Sequence, residues 1–362
     1  MNTSTPRVFI AATRQNDGKT TASLGLIAAL RERFPRVGYI KPVGQRFVEI
    51  EEQKIDEDTV LMDAVYRLDC PLVDMSPIAV EPDFTRKYLQ TANNEALVKK
   101  IQKAFDRVAW EKDFVLCEGS GHAGVGSVFD LSNAQVAKIL GTKVVIVTQG
   151  GIGKPIDEVC LNRALFEKEG VAVIGVILNK VLHEKVDTVS DFARRGLKRK
   201  GLELLGVLPY EQILGKPSVD LIREELRAEL LNQPATLDTL VDDVVVGAMG
   251  AQNAKKFFKQ GVLLITPGDR EDIILTACFE VPAAGQMAGI VLTGGLRPAE
   301  SVLKLIRATP IPFMLVQADS YRVASRVHNL TVKTRPTDGE KISLIRDLVA
   351  QNVNVEKIIE SL

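Results

Sequence analysis

Short runs of β-branched and aliphatic residues alternate with amphipathic stretches along the first two-thirds of the chain. Six runs read as strands: Val8–Ala12, Val37–Ile40, Phe114–Cys117, Val144–Thr148, Val173–Leu178 and Leu204–Leu208. Between them the spacing predicts helices over Thr20–Arg33, Asn94–Ala109, Ala134–Leu140, Ile156–Lys168 and Thr188–Arg199. Gly141, Gly170 and Gly201 follow three of these helices, where a left-handed cap suits glycine. Apolar strands alternating with helices imply a mainly parallel sheet covered on both faces. The pattern weakens over 211–243, where a charged helix, Val219–Leu231, is followed by Asn232-Gln233-Pro234 and an acidic stretch. A second alternation then begins. Its strands are Val244–Val246, Val262–Thr266, Gly289–Leu292 and Phe313–Val316. Its helices are Ala251–Phe258, Asp272–Cys278, Pro298–Arg307 and Ser320–Val327, with a last one at Lys341–Ala350. The expected division is a domain over 1–212, a helical linker over 213–243, and a smaller α/β domain over 244–362.

Composition narrows this picture. The 362 residues carry 46 Lys+Arg against 46 Asp+Glu, a balance that argues against a nucleic-acid-binding surface. Apolar runs are too short for a membrane-spanning helix, and the first residues lack signal-peptide character. Cys70, Cys117, Cys160 and Cys278 are widely spaced and suggest reduced residues of a cytoplasmic protein. His122, His183 and His328 are too scattered to suggest a metal site.

The strongest chemical signal is Ala12-Thr13-Arg14-Gln15-Asn16-Asp17-Gly18-Lys19-Thr20. It follows the first expected strand and opens the first expected helix, the context of a P-loop. Backbone N–H groups of Asn16, Asp17, Gly18, Lys19, Thr20 and Thr21 would cradle the phosphates of a nucleotide. Lys19 would meet the β- and γ-phosphates and the Thr20 hydroxyl would hold Mg²⁺. Thr13 stands where the motif has its first glycine, so the loop requires an ordinary backbone conformation there. Lys41-Pro42-Val43 ends the second strand, where ligands gather in open α/β sheets. Cys117-Glu118-Gly119 ends the third, the position of a Walker-B-like carboxylate.

GKT, KPV, an acidic cluster ending at Asp58, the EG-S-G stretch from Glu118, and Ile177–Lys180 (ILNK) together resemble the dethiobiotin synthetase branch of P-loop ATPases. The 22-residue step from Lys19 to Lys41 and the 17-residue step to Asp58 agree with that branch. The resemblance implies a P-loop NTPase-type fold. It also implies Mg²⁺ ligation by Thr20, Asp58 and Glu118, catalytic phosphate contacts from Lys19 and Lys41, and adenine recognition by Asn179. In the second half, Val246–Met249, Ile265–Asp272 and Leu292–Gly295 resemble the DRTGG domain. The combination looks like the N-terminal portion of long phosphotransacetylases. Their acetyl-transferring domain would need several hundred further residues, so acetyl transfer is not expected of this chain.

Several positions depart from the synthetase pattern. After KPV the chain reads Gly44-Gln45-Arg46-Phe47, bulk and charge where the family uses hydroxyl groups to bind a diamine. Arg14 sits where MinD-type ATPases place a second lysine, and is either an electrostatic partner or a solvated loop residue. Gly119–Gly124 matches G-x-G-x-x-G but follows the third strand, and no acidic residue closes the next strand Val144–Thr148, which argues against a dinucleotide site. That stretch is expected to be a mobile loop beside the γ-phosphate, with His122 either a proton carrier or an exposed loop residue. Asp269 and Arg270 either bind a small anionic effector or cap a helix and pair with a carboxylate. Three readings follow: a regulatory or metabolite-sensing ATPase, a ligase that phosphorylates a carboxylate or carbamate, and a scaffold with structural nucleotide. The first accounts for an intact Mg-ATP motif beside an altered acceptor segment. Both resemblances suggest a homo-oligomer and a small-molecule substrate or effector.

Overall fold

A computed structural model describes residues 1–284 and 287–362. The chain forms two units, Met1–Glu211 together with Thr334–Leu362, and Gln212–Lys333. The second therefore interrupts the first in sequence.

In the first unit six parallel strands form one sheet. Across it the order is Leu204–Pro209, Val173–Val181, Lys143–Gln149, β1 (Arg7–Ala12), Phe114–Glu118 and β2 (Val37–Ile40). Every residue of β1 is buried, because helices cover both faces. β1 lies between the third and fourth of these strands in chain order, so the strand order reverses there. In open α/β sheets ligands bind beyond the carboxyl ends of the strands at such a reversal, and the loop from β1 into α1 (Lys19–Arg31) starts there. The remaining expected helices form at Glu95–Val108, Asn133–Leu140, Gly153–Lys168 and Val186–Lys198. Local chemistry sets their ends. Ser132 and Gln135 close a capping box, and Gly141 adopts φ 62 at the other end of that helix.

Residues 43–93 hold elements that the alternation does not predict. Val43–Gly44 pairs with Ile78–Ala79, and Phe47–Ile50 forms a hairpin with Gln53–Asp56. Helices follow at Glu57–Tyr66, Leu72–Met75 and Phe84–Thr91. These strands span two to four residues, too few to display a period. The hairpin turn uses Glu51 and Glu52 at φ 48 and 64, positions that usually carry Asn or Gly.

In the second unit the strand order is Glu229–Leu230, Phe313–Leu315, Gly289–Thr293, Val262–Pro267 and Asp243–Val246. The first pairing is antiparallel and the others are parallel. Alternate residues serve the two faces. Leu264, Ile290 and Phe313 pack with Ile273 and Ile306, whereas Leu263, Val291 and Met314 pack with Ile222 and Val323.

Two expectations about organisation are corrected. The segment 213–243 is part of the second unit. Its helix ends at Leu226, where Arg227 turns left-handed at φ 52, and Glu229–Leu230 pairs along Phe313–Leu315. Val219, Ile222 and Leu226 are buried in that unit's core. The segment from Thr334 onward returns to the first unit instead of completing the second. Its helix Gly339–Asn352 buries Ile342, Ile345, Leu348 and Val349 and lies along α1. A Cβ on Gly25 of α1 would stand 2.3 Å from Val349, so the glycine is what admits this close approach. Val353 bridges Gly206, and Asn354 N–H donates to the Leu205 carbonyl at 2.8 Å. A final helix, Val355–Glu360, was not expected. All four cysteines are free and Cys117 is buried.

Candidate functional site

The loop between β1 and α1 is closed by its own side chains. Thr13 is not among the residues with positive φ, so the missing glycine leaves the backbone in an ordinary conformation. Its hydroxyl donates to Asp17 Oδ2 at 2.6 Å and lies 2.8 Å from Thr148 Oγ1. Arg14 N–H donates to the same carboxylate oxygen at 2.7 Å. Asp17 is 1% exposed and its Oδ1 has no hydrogen-bond partner. Burial pushes its pKa up, against the hydrogen bonds from Thr13 and Arg14. The positive φ angles fall at Asn16 (66) and Gly18 (103). Outside the loop, the Arg14 guanidinium ion-pairs with Glu158 of the same chain.

Behind the loop, the Asn179 Nδ2 donates to the Asp17 carbonyl at 2.8 Å and the Lys180 Nζ donates to the Asn16 carbonyl at 2.9 Å. In front of it, Lys19 is buried and its Nζ donates to the Gly121 carbonyl at 3.2 Å. Burial draws the Lys19 pKa down, against the pull of Glu118. The Thr20 hydroxyl donates to Glu118 Oε1 at 3.2 Å, and the Tyr39 hydroxyl donates to Oε2 at 3.2 Å. The expected juxtaposition of Lys19, Thr20 and Glu118 is therefore present in space.

Lys41 sits in an acidic cage. Its Nζ ion-pairs with Asp58, lies 3.0 Å from Asp56 and is 3.8 Å from Glu118. All four side chains are at least nine-tenths buried. Burial alone would lower the Lys41 pKa, but the three carboxylates outweigh it and hold the amine protonated well above its ordinary range. Burial pushes the pKa of Glu118 and Asp56 up, with Lys41 opposing it in both. Asp56 was not singled out in the sequence. The signal was available two residues before Asp58, where it caps the helix Glu57–Tyr66 by accepting from Asp58 N–H.

Asp56, Asp58 and Glu118 together carry one more unit charge than Lys19 and Lys41 when all are ionised. The Thr20 hydroxyl and the Glu118 carboxylate are hard oxygen donors side by side, which suits a divalent magnesium ion. Among the described residues, no group of three His, Cys, Asp or Glu side chains is arranged to hold a metal by itself. The donor set thus fits Mg²⁺ only with further oxygens from outside the protein.

The glycine-rich stretch after Glu118 is tied down, in contrast to the mobile loop expected there. Asn133 accepts from Ser120 N–H at 3.0 Å and donates to the carbonyls of Ser120 and His122, both at 2.6 Å. Asn162 accepts from Ala123 N–H at 2.8 Å. His122 is exposed and its Nδ1 accepts from Gly124 N–H. Beyond Lys41, Gln45 and Arg46 are exposed and Phe47 opens the hairpin.

In the second unit the motif residues meet at the carboxyl ends of its strands. Arg270 makes a two-pronged pair with Asp272 at 2.9 Å and donates to the Met249 carbonyl at 2.8 Å. Gly294 and Gly295 take φ 80 and 66. A Cβ on Gly268 would stand 1.7 Å from the Leu296 carbonyl oxygen. Arg270 thus pairs with a carboxylate two residues on, in the helix that follows it. Among the described residues, no helix is long and apolar enough to cross a membrane.

The parallel sheet, its strand–loop–helix opening at β1, the buried Lys19 and the strand-end Glu118 define a P-loop NTPase-type fold, interrupted in sequence by a second α/β unit. The chain belongs to the AAA domain family, whose model matches residues 6–218, and a DRTGG domain model matches 221–330. Its relatives include the phosphate acetyltransferase of Nitratidesulfovibrio vulgaris, 29% identical over 97% of this chain and 51% of that protein. That of Synechocystis is 27% identical over 99% of this chain and 52% of that protein. The chain thus spans about half the length of the curated relatives it matches. Among solved structures, the MinC:MinD cell division protein complex of Aquifex aeolicus is 16% identical, with a TM-score of 0.37 over 58% of this chain and 83% of that one. The CBS and DRTGG domains of the Clostridium perfringens pyrophosphatase regulatory region are 18% identical, with a TM-score of 0.29 over 49% of this chain and 86% of that one. Both scores are low, and the fold class rests on the strand order and the family matches.

Proposed function

We propose that this chain binds Mg-ATP at the loop Thr13–Thr20 and works as a regulatory, metabolite-sensing ATPase. Its DRTGG domain binds an effector or joins copies into a homo-oligomer. The observation that carries the reading is the buried Lys19 facing the strand-end carboxylate of Glu118, with the Thr20 hydroxyl on that same carboxylate. Lys19 and Lys41 supply positive charge for the β- and γ-phosphates, and the N–H groups of Asn16 through Thr21 cradle them. Thr20 and Glu118 would hold the magnesium ion, with Asp58 joining them by giving up its pairing with Lys41. The ion, when bound, neutralises charge developing on the phosphate oxygens.

The ligase reading has less support. It needs an acceptor pocket beyond Lys41, where exposed Gln45 and Arg46 lead into the Phe47 hairpin. The pairing of a P-loop domain with a DRTGG domain supports a nucleotide- and effector-binding role.

Calorimetric titration of nucleotide-free protein with Mg-ATP tests the reading, alongside Lys19→Ala. Micromolar binding that vanishes in the variant is expected, together with phosphate release that changes when candidate effectors are added. Wild-type protein that takes up no nucleotide at millimolar Mg-ATP would overturn it.

A further inference from the structure

We propose that Tyr39 fixes which oxygen of Glu118 is offered to the divalent ion and thereby favours magnesium over calcium, an inference that rests on the nucleotide-binding reading above. β2 and the strand Phe114–Glu118 run parallel, with Tyr39 opposite Leu116. Successive side chains of a strand alternate between its faces, so Glu118, two places beyond Leu116, shares a face with Tyr39. The diagonal step between them is one that a long side chain spans. The Tyr39 hydroxyl accordingly donates to Glu118 Oε2 at 3.2 Å.

The two oxygens of Glu118 therefore keep different company. Oε1 accepts from the Thr20 hydroxyl at 3.2 Å and lies 3.8 Å from Lys41 Nζ, whereas Oε2 is engaged by Tyr39. Tyr39 is 0% exposed. Phenylalanine would fill the same space without a polar atom, and a buried hydroxyl costs free energy unless it is partnered. Burial, and after it the charge of Glu118, pushes the Tyr39 pKa well above its ordinary value, so the phenol remains a donor. Coordination chemistry gives the contact a consequence. Calcium accepts a carboxylate through one oxygen or both, at about 2.3–2.6 Å and in flexible geometry. Magnesium demands a near-octahedral shell at about 2.0–2.1 Å, and the two oxygens of one carboxylate lie too close together to fill two of its corners. With Oε2 committed to Tyr39, Glu118 offers Oε1 alone, beside the Thr20 hydroxyl. Tyr39 is a positioning residue that acts through Glu118.

The test is the calorimetric affinity of wild type and Tyr39→Phe for ATP with Mg²⁺, with Ca²⁺ and in EDTA, with thermal unfolding measured beside each. In the variant the Mg²⁺-supported affinity should fall about 10-fold or more, the usual scale for a group that orients a metal ligand. The Ca²⁺-supported affinity should hold or rise, so the preference for Mg²⁺ narrows by at least that factor, and the affinity in EDTA should not change. Equal losses with both ions, or a lowered unfolding temperature with the preference unchanged, mark a merely structural role and overturn the proposal. So does wild type that binds ATP no better with Mg²⁺ than in EDTA. Tyr39→Met, which also lacks the hydroxyl, carries the same expectations if the phenylalanine variant does not fold. Variants that match a Mg²⁺-dependent wild type refute the role of Tyr39 alone. Wild type that binds ATP under none of the three conditions refutes the nucleotide-binding reading as well.

Discussion

Replacing Thr13 by valine removes one hydroxyl from the phosphate loop and nearly preserves the side-chain shape. That hydroxyl donates to the Asp17 carboxylate at 2.6 Å and takes a contact from Thr148 at 2.8 Å, and all three residues are buried. A hydrogen bond to a charged group contributes about 1.5–3 kcal/mol, and the Thr148 hydroxyl is left without its partner. Together the loss should be about 2–4 kcal/mol. Asp17→Asn keeps an acceptor oxygen in the same place but removes the charge. Thr13→Val in that background should lose only about 1–2.5 kcal/mol, the ordinary value between neutral groups together with the same orphaned Thr148 hydroxyl. Urea unfolding of wild type, both single variants and the double variant at pH 7 measures the coupling, expected at about 1–2 kcal/mol. The pH dependence gives a second reading. The folded pKa of Asp17 lies above its ordinary 3.8, chiefly through burial. Between those two values the native state holds more protons than the unfolded one, so stability falls as pH rises. The stability of Asp17→Asn relative to wild type should therefore grow as pH rises through that window and level off above it. An equal loss from Thr13→Val in both backgrounds would refute the argument that a charged clasp replaces the first P-loop glycine.

Lys41→Met should leave Asp56, Asp58 and Glu118 buried without their shared cation and lower stability by about 3–5 kcal/mol at pH 7. The loss should shrink on acidification as the carboxylates take up protons, visible in unfolding midpoints between pH 5 and 7 at roughly constant ionic strength. Gly25→Ala gains helix propensity but drives a methyl into Val349 and the Ile345 carbonyl. A net loss of about 1–3 kcal/mol is expected, with earlier hydrogen exchange in the helix Gly339–Asn352. Gly268→Ala places a Cβ against the Leu296 carbonyl and should destabilise the second unit by a similar amount or more. Limited proteolysis should then cut within Gln212–Lys333 before the first unit is attacked.

Much of the first unit was legible in the sequence because its signals are local. Each of the six sheet strands is a run of apolar residues between turn formers, and burial on both faces demands that pattern whatever the neighbours. The loop Thr13–Thr20 announces itself through Gly18-Lys19-Thr20 between a strand and a helix. The positions of Lys41 and Glu118 at strand ends follow from the same alternation.

Only the tertiary structure decided what those residues touch. An amphipathic face states that Ile345 and Val349 will be buried, but not that α1 will cover them, and the helix Gly339–Asn352 lies in the first unit and not in the second, where the alternation puts it. The cage around Lys41 joins residues from three separate segments, with Glu118 77 positions beyond Lys41 in the chain. No local pattern encodes such a meeting. Asn179 shows the limit most clearly. Its identity and place near a strand end were readable, whereas its hydrogen bond to the Asp17 carbonyl joins residues 162 positions apart. Periodicity records whether a side chain leaves water. The partner it finds depends on strand order and helix packing, which are settled by the whole chain at once.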